Sequence, residues 1–142
     1  QMLVAADINP PECEDLDGFM AAHWETILDA DPEFGADKLK RLRKMRLFTE
    51  ERVKGVLADL NEIDDALSGL LDHWDVYRLG TVERAVLRLG LWEMRNSDVP
   101  IPVVINEAVD IANWFSSSKT RSIINGILDK VAKSKEDLPS EK

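Results

Sequence analysis

The chain has 142 residues, of which 44% are hydrophobic and 32% charged, and 18 Lys and Arg against 27 Asp and Glu give a net charge of −9. This length favours one domain that folds without a disulfide or metal, and the negative charge argues against coating nucleic acid through bulk charge. One cysteine excludes an internal disulfide and a Cys-rich zinc site. Without a signal peptide or an apolar run of about 20 residues, we expect a cytoplasmic protein that does not enter membranes.

Charge is distributed unevenly along the sequence. Residues 1–37 contain ten acidic side chains and no Lys or Arg, whereas residues 38–46 carry six basic side chains and no acid: Lys38, Lys40, Arg41, Arg43, Lys44 and Arg46. A basic run of this density marks either an anion-binding surface or a solvated helix that pairs with the acidic N-terminal third. The second interpretation is favoured, because the rest of the chain would repel phosphate.

The N-terminal half shows helical periodicity and no strand pattern. Apolar residues predict a helix over 16–29, which Asp31-Pro32 should end. A weaker helical pattern crosses the basic run. Thr49 is predicted to cap a new helix, whose apolar stripe extends from Val53 to about Trp74.

Three helices are predicted in the C-terminal half. The first follows Gly80-Thr81 and is apolar around most of its circumference, with a basic strip of Arg84, Arg88 and Arg95. Pro100 and Pro102 flank the start of the second, in which we expect inward-facing Val104, Ala108, Ile111 and Phe115 and outward-facing Asn106, Glu107, Asp110 and Asn113. The third follows Ser116-Ser117-Ser118. Its Gly126 is predicted to lie where another helix backbone crosses closely, and residues 134–142 form a polar tail.

No pattern indicates catalysis. The phosphate loop, the nucleophile elbow and the zinc-protease motif are absent. His23 and His73 are interpreted as helix-face residues, Asp64-Asp65 as a chance carboxylate pair, and Cys13 as a poor nucleophile because its neighbours are acidic. Trp24 and Trp92 are predicted to be core residues, while Trp74 and Trp114 lie near helix ends. We therefore expect a binding protein rather than an enzyme, with no catalytic residue, cofactor or metal.

Four sequence blocks occur in one order: VERAVLRLGLWE at residues 82–93, SDVP at 97–100, VINEAV at 104–109 and INGILDK at 124–130. Together they resemble the C-terminal signature of the NusB family of bacterial transcription antitermination factors. The resemblance implies an all-α, NusB-like fold of about six to seven helices in two small bundles packed across each other. It implies one domain over residues 1–133, divided into bundles 1–75 and 76–133, followed by the tail 134–142.

The same resemblance implies a function in transcription. Family members bind boxA RNA together with the ribosomal protein NusE, join the RNA polymerase antitermination complex and support transcription of ribosomal RNA operons. It implies RNA contacts from the helix that carries Arg84 and Arg88 and from the start of the last helix, at Ser118, Lys119, Thr120 and Arg121. A contact with NusE is implied for Glu83.

Two features differ from the family pattern. The family's Arg-rich N-terminal arm has no counterpart in the sequence from Gln1 onward, and Ile123 stands where the family often has an aromatic residue. Stacking of an aromatic side chain on a base contributes about 1–3 kcal/mol. We therefore expect this chain alone to bind boxA RNA weakly and NusE to raise the affinity.

Three alternatives remain open. A NusB-like domain also precedes the catalytic domain of ribosomal RNA cytosine methyltransferases, which would require a longer gene. The second alternative is a dimerisation or protein-binding module, whose cationic surface is buried against a second copy of the chain. A helical enzyme that uses the acidic clusters with a metal is the third alternative, for which metal-dependent thermal stabilisation would be the test.

Overall fold

The computed structural model describes residues 1–11, 15–30, 36–71, 78–115 and 118–137, and within them all side chains except those of 27–30, 36–39, 118 and 134–137. The described residues form seven α-helices and no strand, which confirms the predicted all-α class. In chain order the helices are α1 (Met2–Ile8), α2 (Leu16–Ala30), α3 (Ala36–Ala58), α4 (Leu60–Leu70), α5 (Thr81–Asn96), α6 (Ile101–Phe115) and α7 (Ser118–Asp137).

The chain divides into two compact units, Gln1–Leu57 and Ala58–Lys142. In the first unit, Met2, Met20, Trp24 and Val53 form a buried cluster, so α1, α2 and α3 share one core. The indole Nε1 of Trp24 donates a hydrogen bond to Glu50 Oε1 at 3.1 Å, which satisfies the one polar atom of this buried ring. Trp24 is therefore a core residue, as predicted.

Helix α3 corrects two predictions from the sequence. The helix is continuous through Thr49, so this residue lies mid-helix and caps nothing. No Gly or Pro interrupts residues 36–54, and Lys, Arg, Leu and Met are good helix formers, so the basic run extends the helix. The apolar stripe is instead broken at Asp59, whose ψ of 16° lies outside the helical range and separates α3 from α4.

The second unit is built around α5. This helix packs against α4, α6 and α7, and α6 also packs against α7. The largest fully buried side chains of the unit come from all of these helices except α6: Ile63, Leu67, Leu87, Leu91, Met94, Ile124 and Leu128. Helix α6 contributes the smaller Val104, Ala108 and Ala112. The apolar circumference predicted for this helix is thus covered by three neighbours, and the prediction that Trp92 is a core residue is confirmed.

Glycines mark where helices approach closely, at a different position from the one predicted. A Cβ at Gly90 of α5 would lie 3.1 Å from Leu128 Cδ2 of α7, so the missing side chain permits this contact. A Cβ at Gly126 would meet nothing within 4 Å. The predicted close crossing at Gly126 is therefore wrong: this residue borders an apolar pocket of about 290 Å³ with Leu70, Leu79 and Ile127 among its neighbours.

Several other expectations concern the chain ends and the membrane. Helix α7 continues to Asp137, beyond the predicted start of the polar tail at residue 134. Cys13, His73 and Trp74 lie outside the described residues, as do Ser116, Ser117 and residues 138–142. Among the helices that the structure describes, none combines the length and hydropathy that crossing a bilayer would demand.

Candidate nucleic-acid interface

Arg88 and Arg84 lie inside the second unit. Arg88 is only 4% exposed, and its Nε and Nη2 donate hydrogen bonds to Oδ1 and Oδ2 of Asp64 at 2.8 and 2.7 Å. This bidentate ion pair joins α5 to α4. Arg84 is 7% exposed, and its Nη1 donates to the carbonyl oxygen of Leu79 at 3.1 Å.

The predicted basic strip on α5 is therefore not a solvent-facing surface. Of its three arginines only Arg95 is exposed. The physical reason is that α4 and the segment before α5 offer a carboxylate and a carbonyl, which compensate the burial of two guanidinium groups. Asp64, interpreted from the sequence as one member of a chance carboxylate pair, has a structural role, because its carboxylate neutralises Arg88.

The start of α7 keeps its cationic residues near solvent. Lys119 is exposed, while Thr120 and Arg121 are half-buried; Ser118 begins the helix, but its side chain is outside the described set. The first four N–H groups of a helix have no intrahelical acceptor, and the helix dipole favours anions there. A phosphate at this end would meet N–H donors and the exposed ammonium group of Lys119.

Arg121 is anchored by a neutral group rather than by a carboxylate. Its Nη1 donates a hydrogen bond to Oδ1 of Asn113, which connects the start of α7 to the end of α6. Among the described residues no acid forms an ion pair with Arg121, and its Nε is buried without a hydrogen-bond partner. Arg121 thus differs from Arg88, which is paired with a carboxylate, in having no carboxylate partner in the part of the chain that the structure describes.

An open cleft of about 620 Å³ lies beside this contact. Its walls are formed by α6 and α7, and its lining residues are Asn106, Val109, Asp110, Arg121, Ser122 and Asn125. All are polar except Val109. Amides and a carboxylate at this density can exchange hydrogen bonds with the edges of nucleobases.

A large aromatic side chain stands next to the cleft. Trp114 follows Asn113 directly, is 84% exposed, and lies one helical turn from the cleft residue Asp110. Phe115 is 65% exposed and Ile111 also reaches solvent, which corrects the prediction that Ile111 and Phe115 face inward. The inward positions of α6 are Val104, Ala108 and Ala112, spaced every four residues.

Only weak signals for this arrangement are present in the sequence. Asn106, Asp110 and Asn113 were predicted to face outward, and they are exposed. Trp114 was recognised only as a residue near a helix end. The helical period does contain a signal for its exposure. The buried positions of α6 are 104, 108 and 112, and position 114 lies away from them on the solvent side.

Glu83 lies in the first turn of α5, whose N-cap is Gly80. The Glu83 side chain folds back onto that cap: its carboxylate occupies the space that a Cβ at Gly80 would fill. A Glu at this third helical position stabilises a helix start by reaching back to the cap and by interacting with the helix dipole. The half-buried Glu83 therefore has a structural role within α5 in addition to any contact with a partner.

The side chains grouped here are suited to binding nucleotides. Among the residues that the structure describes, no three His, Cys, Asp or Glu side chains converge as a metal site requires. An exposed indole, amide groups and uncancelled cations are the groups with which proteins hold unpaired nucleotides. We name the surface formed by Asn106, Asp110, Asn113, Trp114, Lys119, Arg121 and Asn125 the α6–α7 surface.

Comparison with known proteins identifies the family. The NusB family model matches residues 1–133. The transcription antitermination protein NusB of Anaeromyxobacter sp. is 33% identical over 119 residues, which cover 84% of this chain and 76% of that protein. The NusB protein of Nitratiruptor sp. is 40% identical over 95 residues, covering 66% of this chain and 68% of that protein.

Solved structures have the same fold. A crystal form of T. maritima NusB superimposes with a TM-score of 0.68 at 28% identity, covering 96% of this chain and 90% of that one. The antitermination factors NusB and NusE in complex with dsRNA give a TM-score of 0.68 at 23% identity, covering 94% and 89%, a likeness that shows the fold. The extent of the family match, with these relatives, establishes that the chain belongs to the NusB family.

Proposed function

We propose that this chain is a transcription antitermination factor that binds boxA RNA together with NusE, with the α6–α7 surface as its RNA contact. The proposal follows from membership of a family whose relatives are named transcription antitermination proteins and of which one solved relative is in complex with NusE and dsRNA. One observation assigns RNA binding to this surface. The exposed indole of Trp114 lies next in sequence to Asn113, which holds Arg121 through a hydrogen bond and leaves its positive charge without a described carboxylate partner.

Each part of the α6–α7 surface has a distinct role in the proposal. Trp114 stacks on one unpaired base, and the amides of Asn106 and Asn125 exchange hydrogen bonds with base edges. Lys119, Arg121 and the first N–H groups of α7 hold the phosphates. Asp110 disfavours phosphate in the cleft and accepts hydrogen bonds from exocyclic amino groups, which orients the strand with its backbone toward α7.

Arg84 and Arg88 act indirectly in this proposal. Both are buried, and Arg88 is already paired with Asp64, so a direct RNA contact would first have to break that pair. Their role is to fix α5 in the second unit, against which α6 and α7 both pack. Substitution of either arginine would reduce RNA binding only by reducing the amount of folded protein.

The net charge of −9 gives NusE a physical role. Long-range repulsion opposes the approach of RNA to an acidic protein, even where a local surface is basic. A partner that adds cations and a second binding surface raises the effective concentration of the α6–α7 surface at the RNA. We propose that Glu83 lies at the contact with NusE, that the complex joins transcribing RNA polymerase, and that the protein acts in the cytoplasm as an assembly factor rather than as an enzyme.

The test is a titration of fluorescently labelled boxA RNA with the chain, alone and with NusE. Trp114→Ala should weaken binding by about five- to 150-fold, because stacking contributes about 1–3 kcal/mol per base. Arg121→Gln should weaken it and lower the salt dependence of log Kd by roughly 0.7 for each phosphate that is no longer bound. Wild-type chain should bind more tightly in the presence of NusE.

Matched controls separate the surface from general effects of substitution. Val103→Ala removes an exposed apolar side chain from the same helix, and Lys133→Gln removes an exposed cation that pairs with Asp129 in α7. Both controls should bind RNA as wild type does. The assignment to the α6–α7 surface fails if Trp114→Ala and Arg121→Gln bind boxA RNA as tightly as these controls.

A homodimer is a second candidate state. Val103, Ile111, Trp114 and Phe115 are all exposed on α6, and apolar side chains grouped on one helix are typical of a protein contact. If a second copy covers them, RNA and the second copy compete for Trp114. Sedimentation with and without boxA RNA distinguishes the two, because RNA should then convert dimer to monomer.

A further inference from the structure

Helix α3 carries a second cationic surface in the first unit. Lys40, Arg41, Arg43 and Lys44 are all exposed and stand within five consecutive residues that contain no acid. We name these four residues the basic face. Because α3 is continuous here, the four side chains are held on a regular helix rather than on a loop.

No acidic side chain of the described residues neutralises the basic face. The sequence favours a solvated helix that pairs with the acidic N-terminal third, and Lys54 of α3 does pair with Asp17 of α2 (3.1 Å), but Lys54 lies outside the basic face. Arg46 pairs with Glu50 within α3 at 2.9 Å. The four cations of the basic face form no ion pair with any described acid. Because residues 38–46 contain six basic side chains and no acid, this segment carries a local positive charge in an acidic protein.

The apolar side of α3 is already used. Leu42 and Val53 pack in the core of the first unit, and Arg52 covers the ring of Phe48 with its guanidinium carbon 3.4 Å from the centroid. An amphipathic helix that binds a bilayer needs an unoccupied apolar face to insert. The exposed Phe48 is covered by Arg52, and the exposed Met45 and Leu47 are two residues apart and so lie on different sides of the helix. Helix α3 therefore does not offer one continuous apolar face.

We propose that the basic face of α3 binds the phosphate backbone of single-stranded RNA, as a contact separate from the α6–α7 surface. The choice of RNA over another polyanion rests on the proposed function. It is supported by the mixture of guanidinium and ammonium groups, which together give bidentate and point-charge contacts to phosphate. Cations on an exposed helix carry no base recognition, so this contact lengthens the bound RNA without adding sequence specificity.

The consequence is a dependence on RNA length. A boxA RNA so short that the α6–α7 surface engages all of its phosphates has none left to bind the basic face. The same RNA extended by uridines on both sides reaches further phosphates and releases more counterions, so its affinity falls more steeply with salt. RNA length and salt dependence together therefore report on the basic face.

The experiment compares two quadruple variants with the same net charge. One is Lys40→Gln, Arg41→Gln, Arg43→Gln, Lys44→Gln. The control is Arg78→Gln, Arg95→Gln, Lys130→Gln, Lys133→Gln, which neutralises four exposed cations of the second unit. Glutamine keeps helix propensity, and circular dichroism verifies that both variants remain folded.

Three labelled RNAs are titrated in the presence of NusE over a range of salt: short boxA RNA, extended boxA RNA and an oligouridine of the extended length. Neutralising the basic face should reduce affinity for the two longer RNAs roughly tenfold at low salt and lower their salt slope by about 0.7 for each phosphate released from the protein. Binding of short boxA RNA should match that of the control variant.

Other results overturn the inference. Equal reductions in the two quadruple variants would mean that only bulk charge matters. Unchanged binding of the long RNAs, with loss of binding to polyglutamate or to phosphatidylserine vesicles, would assign the basic face to an acidic protein or a membrane. If Trp114→Ala weakens short boxA RNA while the basic face has no effect, this inference alone fails. If neither variant weakens any RNA, the proposed function fails with it.

Discussion

At the scale of single residues, the buried pair of Arg88 and Asp64 shows how environment decides the role of a charge. Arg88 and Arg121 both belong to helices that the family resemblance associates with RNA. Arg88 is almost fully buried and forms an ion pair with Asp64 at 2.7 Å. Arg121 instead donates a hydrogen bond to the neutral amide of Asn113 and has no described carboxylate partner. From the sequence, both arginines are predicted to be exposed cations on RNA-binding helices. The difference between them depends on the contact of Arg88 with Asp64 on α4, which sequence spacing does not reveal.

The pair predicts a specific pattern of stability. Arg88→Met should lower the free energy of unfolding by about 3–5 kcal/mol, because it leaves the Asp64 carboxylate without its partner in a poorly hydrated site. The double substitution Arg88→Met, Asp64→Leu should recover most of that stability, since apolar side chains of similar volume replace both charges. Urea denaturation of the two variants and of wild type measures both values.

The opposite pattern would contradict this view of the pair. If Arg88→Met costs less than about 1 kcal/mol, the ion pair is of the weak, solvent-screened kind. Arg88 would then be available to other ligands, and its assignment to a purely internal role would be wrong.

At the scale of helices, the difference between two glycines reveals which elements approach closely. Gly90 of α5 faces the fully buried Leu128 of α7, and Gly126 of α7 faces open space. The helix boundaries near these residues followed from Gly, Pro and apolar periodicity, and most were predictable. The close approach was assigned to the wrong glycine, because periodicity does not encode the angle at which two helices cross.

The two glycines give a matched test within one fold. Gly126→Ala should raise the free energy of unfolding by up to about 1 kcal/mol through helix propensity. Gly90→Ala gains the same propensity, but its Cβ lies 3.1 Å from a Leu128 methyl group in a packed core, so overpacking of about 1–3 kcal/mol should outweigh the gain. Thermal denaturation should therefore show opposite shifts in Tm. A rise in Tm for both variants would mean that Leu128 moves freely.

Helix α3 illustrates a different limit of sequence reading. Thr49 followed by two glutamates is a plausible helix start, yet the helix begins at Ala36 and continues through it. A capping residue stabilises a helix end only where the backbone ends, and nothing at Phe48 or Thr49 breaks the chain of helix-forming residues. The break occurs instead at Asp59, before Ile63 and Leu67 enter the core of the second unit.

At the scale of the whole molecule, the family and the all-α class were accessible from the sequence, and the geometry of the candidate site was not. Four motif blocks in residues 82–130 were sufficient for the resemblance, which the family match over residues 1–133 confirms. The site required knowledge of which residues lie together across α6 and α7. Asn113 and Trp114 lie on α6 and Arg121 lies on α7, and only the packing of the two helices brings them to one surface.

The net charge of −9 also acts at this scale. A negative net charge repels RNA except at local surfaces where cations have no carboxylate partner. The described residues form two such surfaces, one in each unit. Added salt should therefore strongly weaken RNA binding at these two surfaces, and a cationic partner should strengthen it.

The proposed function depends above all on RNA binding at the α6–α7 surface, and amide NMR shifts on titration with boxA RNA report on that surface residue by residue. The chain is labelled with ¹⁵N and saturated with NusE, so that only RNA changes during the titration. We predict that the largest shifts fall between Asn106 and Asn125, with the indole N–H of Trp114 among them. If boxA RNA binds while this segment and the Trp114 indole do not shift, the RNA contact lies elsewhere and the proposal is contradicted.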